Sequence, residues 1–419
     1  MRDSGLARLA EYATHATGGK RFLFYSHDAL GLGHVRRNLA IARALVDADP
    51  AASVLLATSA DEVERFGLPP RTDVLKLPGL CKLDNERYVP RRLMLSFERV
   101  RELRSSLLVA AVDSFRPAVV LADKHPLGAS GELRPALDAQ RAAGGKAVLG
   151  LRDVLDAPAT VHEEWAGREV GQKIEEYDDR LLVYGERAVF DPLEAYELSD
   201  SLAERTIFCG YVRSPGSADR RAAKLEPPLL VDRRGPSVLA TAGGGEDGFG
   251  LLSTFLEAAA ESRWRGVAVA GPQSSEAERR KLSRLARRAG VALRTFVPGL
   301  AASFARFDAL VCMGGYNTLV EALASSTPTV CTPRVQPRSE QLIRSRSFAS
   351  LGLLRIVEPG LLDPDALRNE VDVALATPRE EVRARTRATL RLDGARRAAG
   401  CLIELAESAA LPRQVAAVQ

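Results

Sequence analysis

Residues 308–321 read DALVCMGGYNTLVE. An apolar run is cut by Gly314-Gly315, and apolar residues resume at helical spacing from Leu319. A short continuous apolar run ended by glycine predicts a strand buried on both faces, and the resumption predicts a helix. The unit is strand, glycine turn, helix. It recurs at 237–256, SVLATAGGGEDGFGLLSTFL, with Gly243, Gly244 and Gly245 after the apolar run. It recurs again at 21–39, RFLFYSHDALGLGHVRRNL, with Gly31, Gly33 and His34 in the turn.

Working outward, the same alternation fills the chain. Apolar runs at 21–26, 53–58, 73–77, 118–123, 146–153, 180–185 and 206–212 precede helical stretches in the first half. A second series lies at 237–245, 266–271, 292–298, 308–315, 329–333 and 353–359. Continuous apolar strands separated by helices predict parallel sheets covered on both faces, so the fold class is α/β with two doubly wound domains. Residues 213–236 are rich in proline, arginine and small polar residues, and read as the linker. The expected layout is a leader over 1–20, a first domain over 21–212, the linker over 213–236, a second domain over 237–385, and C-terminal helices over 386–419 that pack back on the first domain. In such sheets ligands sit at the carboxyl ends of the strands, so two facing domains make a cleft lined by the glycine turns.

Composition narrows the function classes. The chain has 419 residues, 46% hydrophobic and 27% charged, which supports a large core and excludes wholesale disorder. A net charge of +4 is too small for a nucleic-acid footprint. Five scattered cysteines with no CxxC pair predict neither a disulfide framework nor structural zinc, and fit a reducing cytoplasm. No run of 18 apolar residues predicts a membrane span, and the first 20 residues do not read as a secretory signal. The D-x-D pairs at Asp47–Asp49 and Asp363–Asp365 do not directly follow strands, so no metal site is predicted.

Each glycine turn lets the backbone approach a ligand, and the helix start behind it favours anions. Gly243 to Gly248 match GxGxxG by spacing, but the next strand ends Ala270-Gly271-Pro272, without the acid that a dinucleotide ribose needs. A sugar or phosphate contact is expected there instead of NAD. At the third turn the amides of Gly315, Tyr316, Asn317 and Thr318 can cradle a diphosphate, and Glu321, one turn on, can accept ribose hydroxyls. Thr318 and Glu321 also have the spacing of a helix capping box, which remains the alternative. The Walker lysine-serine pattern is absent.

Residues 292–341 resemble the C-terminal domain of glycosyltransferase family 28, the family of the N-acetylglucosaminyltransferase of bacterial peptidoglycan synthesis. Phe296 with Val297 after it, Gly315, Thr318, Glu321, Pro328, Pro333 and Gln341 fall in the family's order and spacing. The likeness extends to Gly31-Leu32-Gly33-His34 and to the 243–248 turn. Segments Tyr25–Arg37 and Leu121–Gly128 also resemble an uncharacterised bacterial group of predicted glycosyltransferases. The resemblance implies a GT-B architecture, a nucleotide diphosphate sugar as donor (a UDP-sugar first), and inverting transfer without an essential metal or other cofactor. It places the acceptor on the first domain. Val297 would contact the base and Glu321 the ribose. Gly243–Gly245 and Gly314–Thr318 would line the diphosphate, and Gln341 with Glu340 would hold sugar hydroxyls. Two positions depart from the family, Gly245 for a serine and Met313 for an arginine.

Inverting transfer needs a base for the acceptor hydroxyl and positive potential for the leaving diphosphate. His34 is the first candidate base, because a helix start keeps an imidazole neutral. Asp123 is the second, and Asp28, Asp153 and Glu186 are further strand-end carboxylates. Helix dipoles with Arg338 or Arg334 are candidates for the leaving group, against an ordinary surface role for each arginine. Arg91, Arg92, Arg99, Arg101 and Arg104 punctuate a predicted helix over 91–107 whose apolar face includes Phe97, Val100, Leu103 and Leu107. It reads first as a solvated face over a packed one, with peripheral contact to anionic lipid as the alternative. The acceptor is open: small molecule, glycan or lipid-linked. Rival readings are a nucleotide-sugar epimerase or hydrolase, and a non-catalytic nucleotide-sugar-binding protein.

Overall fold

The computed structural model describes residues 19–26, 33–61, 63, 67–84, 87–167, 169–213, 235–245 and 247–409. The leader and most of the linker lie outside the described residues, as do Asp28, Gly31 and Glu246.

The first domain is a seven-stranded parallel sheet. Its chain runs β1 (Arg21–Tyr25), α1 (Gly33–Ala48), β2 (Ser53–Thr58), β3 (Thr72–Lys76), a hairpin of β4 (Leu80–Asp84) and β5 (Arg87–Pro90), α2 (Phe97–Phe115), β6 (Val119–Asp123), α3 (Arg134–Ala142) and β7 (Lys146–Arg152). It continues through α4 (Pro158–Ala166), α5 (Val170–Tyr177), β8 (Arg180–Tyr184), α6 (Pro192–Ala195), α7 (Asp200–Arg205) and β9 (Thr206–Phe208). The strand order is β3-β2-β1-β6-β7-β8-β9, so the sequence direction reverses between β1 and β6. All five residues of β6 are buried, whereas edge strand β3 is half-buried or exposed along its length. That difference is why the central strands read as unbroken apolar runs.

The second domain repeats the plan with β10 (Ser237–Thr241), α8 (Phe249–Ala260), β11 (Arg265–Val269), α9 (Glu276–Ala289), β12 (Ala292–Arg294), β13 (Ala309–Cys312), α10 (Tyr316–Ala324), β14 (Thr329–Cys331), α11 (Glu340–Ser350), β15 (Arg355–Ile356) and α12 (Pro364–Ala376). Its six parallel strands are ordered β12-β11-β10-β13-β14-β15, the doubly wound order with its switch point between β10 and β13. Local chemistry sets the helix ends. Ser275 and Glu278 cap the start of α9 reciprocally, and Gly290 closes it at φ 65°.

Two more helices, α13 (Arg379–Thr389) and α14 (Gly394–Glu407), follow. Only α14 joins the first domain, where its apolar face shares one core with α1. The crossing lies after Leu390 rather than at 386, since Tyr211 N donates to Arg391 O and the Arg391 guanidinium holds Glu186 at 2.6 Å. Gly394 permits the close approach, because a Cβ there would stand 2.5 Å from Gly210 O.

The predicted 91–107 helix is corrected by the structure. Arg91 and Arg92 precede α2, which starts at Phe97 under a Ser96 cap, and both arginines bond Asp61. Arg104 is buried against Glu132, whose carboxylate also accepts from Tyr25. Leu103 is exposed, and α2 packs instead through Val100, Leu108 and Val112. Among the described residues no helix is long and apolar enough to cross a membrane.

The domains meet through a dry seam. Asp153, just after β7, and Arg344, in α11, are both 0% exposed and pair at 2.7 Å. Tyr211 OH donates to the same aspartate at 3.2 Å. Tyr316, at the start of α10, donates to Tyr184 O and accepts from Val212 N, each at 3.0 Å. Asp153→Ala therefore strands a buried guanidinium and is expected to lower the unfolding free energy by about 3–5 kcal/mol. In urea unfolding, the double variant Asp153→Ala/Arg344→Met should recover more than half of that loss; equal losses in both would refute the assignment.

Candidate active site

The switch points lie between β1 and β6 in one sheet and between β10 and β13 in the other, where ligands sit in such folds. The glycine turns before α1 and α10 come together. A Cβ on Gly33 would stand 3.4 Å from Asn317 Nδ2. Helix α10 begins at Tyr316 with Gly315 as its N-cap, and no side chain caps it. Thr318 thus lies inside the helix and the capping-box alternative falls. Helix α8 likewise starts behind Gly248 without a side-chain cap. Both starts leave amides for an anion.

The glycines themselves are required. Gly245 has φ 92°, and a Cβ would stand 2.4 Å from Ala270 O and 2.7 Å from Ser274 Oγ. That contact leaves no room for the serine expected from family 28. Gly314 has φ 85°, with Ser345 Oγ at 2.6 Å from its notional Cβ. Gly243 and Gly244 are exposed on the rim.

His34 and Asp123, read from sequence as rival bases, are one unit. His34 sits in the first turn of α1, and Asp123 ends β6 with no exposed surface. His34 Nδ1 lies 3.2 Å from Asp123 Oδ2 and 3.0 Å from Arg37 Nη2. Arg37 donates to both Asp123 oxygens at 2.6 and 2.7 Å. Guanidinium only donates and carboxylate only accepts, so Nδ1 can serve one of them. Because Arg37 Nη2 is already engaged twice, the Nδ1–H tautomer directed at Asp123 is the consistent one. It leaves the lone pair on Nε2. Burial lowers the imidazole pKa to about 4, against the pull of Asp123 in the other direction. Burial would raise the Asp123 carboxyl, but Arg37 and His34 outweigh it and hold it well below the usual carboxylate range. Arg37 lies over the rings of Tyr184 and Tyr316, 5.1 and 5.8 Å from their centroids.

Glu321 reaches the crevice but is 6% exposed, and Arg36 Nη2 donates to its Oε1 at 2.7 Å. Burial raises its pKa, against the pull of Arg36. Tyr316 is used by its side chain as the domain pin, so only its amide faces the nucleotide role. Val297 is half-buried beyond β12, with Phe296 exposed beside it. Arg338 and Arg334 are not isolated surface charges. Arg338 bonds Asp156 at 3.0 Å and Glu164 at 2.8 Å across the domains, while Arg334 bonds Asp247 and Glu340. Gln341, oriented to satisfy its amide, donates to Met313 O and accepts from Arg334 Nε. Asp153 and Glu186 are held by Arg344 and Arg391, which removes both from the list of free strand-end bases.

Several of these partners carried no signal in the sequence. Arg36, Arg37 and Arg344 sit in helices, where a lone arginine reads as surface. Only the pairing of an arginine doublet with the glycine turn, as at Arg36-Arg37 behind Gly33-His34, could have pointed to them.

Comparisons with known proteins agree on the architecture. No family model matches the chain. The UDP-N-acetylglucosamine–N-acetylmuramyl-(pentapeptide) pyrophosphoryl-undecaprenol N-acetylglucosamine transferase of Corynebacterium efficiens is 26% identical over 269 residues, 61% of this chain and 70% of that protein. Among solved structures, the glycotransferase of kitacinnamycin superposes with a TM-score of 0.64 at 20% identity, over 94% of this chain and all (100%) of that one. Acinetobacter baumannii MurG superposes at 0.58 with 12% identity, over 92% of this chain and 100% of that one. The fold is therefore GT-B, two Rossmann-like domains facing one cleft. Within that fold the chain resembles the MurG-type transferases of family 28, and its relatives in sequence and structure are glycosyltransferases.

The His34 environment has a measurable consequence. The unfolded imidazole takes up its proton near pH 6.5 and the folded one only near 4, so stability falls as pH falls through that window. The loss is expected to reach about 3 kcal/mol, and His34→Gln should not show it. Urea unfolding across the window checks this; identical pH slopes in the two proteins would contradict it.

Proposed function

We propose that the protein is a glycosyltransferase that moves a sugar from a nucleotide diphosphate sugar to an acceptor hydroxyl, with inversion and without an essential metal. A UDP-sugar is the first donor to test, since UDP is the nucleotide in the printed name of the Corynebacterium relative. The reading is carried by one observation: an oriented His34–Asp123 pair sits on a helix start that approaches the uncapped, glycine-led start of α10.

In this mechanism His34 Nε2 takes the proton of the acceptor hydroxyl as oxygen attacks the anomeric carbon. Asp123 holds the ring and stabilises the imidazolium as it forms. The glycosidic bond to the diphosphate breaks, and charge on the leaving oxygens meets the amides and dipoles of α8 and α10. Attack from the His34 side and departure on the opposite side invert the anomeric centre. The base lies at Val297 with Phe296 on the rim. The ribose uses Glu321 Oε2, the oxygen that Arg36 does not engage. Glu340 and Gln341 face the transferred sugar.

The acceptor reading includes a membrane-proximal one. Leu93, Met94 and Leu95 between β5 and α2 are exposed, Met94 completely, beside exposed Arg92 and Arg99. An apolar tip rimmed by cations suits the headgroup boundary of an anionic bilayer. Peripheral contact at the cytoplasmic face of the membrane is therefore part of the proposal.

Thermal shift against UDP, GDP, TDP and ADP should show one nucleoside diphosphate that raises the melting temperature. Glu321→Ala should weaken its binding by roughly tenfold or more, as lost charge-assisted hydrogen bonds do. His34→Ala and Asp123→Asn should leave binding intact and slow transfer by about 10²–10⁴-fold. Full activity in His34→Ala would end the base assignment, and donor turnover without acceptor would favour the hydrolase or epimerase reading.

A further inference from the structure

Five arginines around the candidate transfer site have carboxylate partners: Arg36 with Glu321, Arg37 with Asp123, Arg334 with Asp247 and Glu340, Arg338 with Asp156 and Glu164, Arg344 with Asp153. Arg152 differs from these five. Among the described residues its guanidinium makes no ion pair or hydrogen bond, and its Nε is buried without an acceptor. Burial lowers its proton affinity. In Arg37, Arg338 and Arg344 burial acts the same way, but the neighbouring carboxylates outweigh it and the shift is upward.

Its place in the fold is specific. Arg152 ends β7, in register with Tyr184 at the end of β8, and β7 adjoins the strand that carries Asp123. Its charge acts on His34 and Arg37 within its own domain, and on Glu340 and Arg344 of the opposing one. Glu340 Oε2 is buried and unpartnered, yet no ion pair joins the two residues. Glu340, paired through Oε1 with Arg334, is thus within electrostatic reach of Arg152 across the seam. Arg152 is half-buried, and a buried Nε without an acceptor is unfavourable; such groups persist where a ligand completes them.

We propose that Arg152 is a substrate-recognition residue that receives an anionic group, carboxylate or phosphate, carried by a sugar at the transfer site in addition to the donor's diphosphate. Glu340 opposite accepts hydroxyls of the same sugar, so the gap fits a sugar acid or a phosphorylated sugar. The charged sugar is either the one transferred or the acceptor. This inference rests on the nucleotide-sugar reading above and deepens it.

Calorimetry separates the two sources. UDP is titrated first into wild type, Arg152→Lys and Arg152→Met. UDP-glucuronate is then compared with UDP-glucose for the donor source, and glucose 1-phosphate with glucose on UDP-loaded protein for the acceptor source. One anionic probe should bind at least about tenfold tighter than its neutral counterpart, the size of a charge-assisted pair. Arg152→Met should erase that ratio and leave UDP affinity within about twofold, while Arg152→Lys keeps part of it. The methionine variant should melt no lower than wild type, since it removes a buried Nε that has no acceptor. Flat ratios in wild type, a ratio that survives in Arg152→Met, or a lower melting temperature for that variant each overturns the proposal. UDP binding with flat ratios removes only the anion contact, whereas failure of UDP to bind wild type removes the nucleotide site and this contact with it.

Discussion

Asp153 follows β7 and Arg344 lies in the first half of α11, and they meet where water reaches neither. Two charges taken out of water gain little net stability from each other, but separating them strands both. The pair therefore acts less as glue than as a constraint on geometry. Only one docking of the domains keeps both charges satisfied. Tyr316 adds a second fixed point at the start of α10, with one hydroxyl donating to one strand end and accepting from the chain beyond β9. With these two points set, the start of α1 must face the start of α10. The crevice between Gly33 and Asn317 is a consequence of that docking.

The C-terminal segment closes the same arrangement from the other side. Helix α14 leaves the second domain and completes the core beside α1. The helix that carries His34 is thus packed by residues more than 350 positions away in sequence. Among the described residues, any opening of the cleft must involve the crossing near Leu390, because the helices on either side belong to packed cores.

Much of the architecture was legible in the sequence for a physical reason. Central strands of a parallel sheet are buried on both faces, so 53–58 and 118–123 read as unbroken apolar runs and match β2 and β6 closely. The hairpin at Leu80–Pro90 was not legible, since CKLDNERY alternates weakly and pairs only with itself. The end of 206–212 also went astray: the strand stops at Phe208, and Tyr211 packs on Tyr316 and Phe348 of the second domain. For the candidate site, the glycine turns and the residues His34 and Asp123 could be picked out singly, and the structure brings them together. What the sequence withheld was pairing. Nothing in the spacing says that Arg37 clamps Asp123 or that Arg36 covers Glu321, since each contact joins elements distant in the chain.

A base whose pKa lies near 4 is, taken alone, poor at removing a hydroxyl proton. The low value arises because burial disfavours the imidazolium, while Arg37 shares the charge of Asp123. In the transition state of the proposed transfer the balance differs. The acceptor proton would arrive as negative charge leaves with the diphosphate, so the imidazolium would form opposite a carboxylate while the departing anion is received by helix termini. Asp123, 3.2 Å from His34, would then interact with full positive charge, more strongly than the same pair does in water. On that proposal the dyad stabilises the transition state more than the ground state, and that difference, rather than the ground-state basicity of His34, would accelerate transfer.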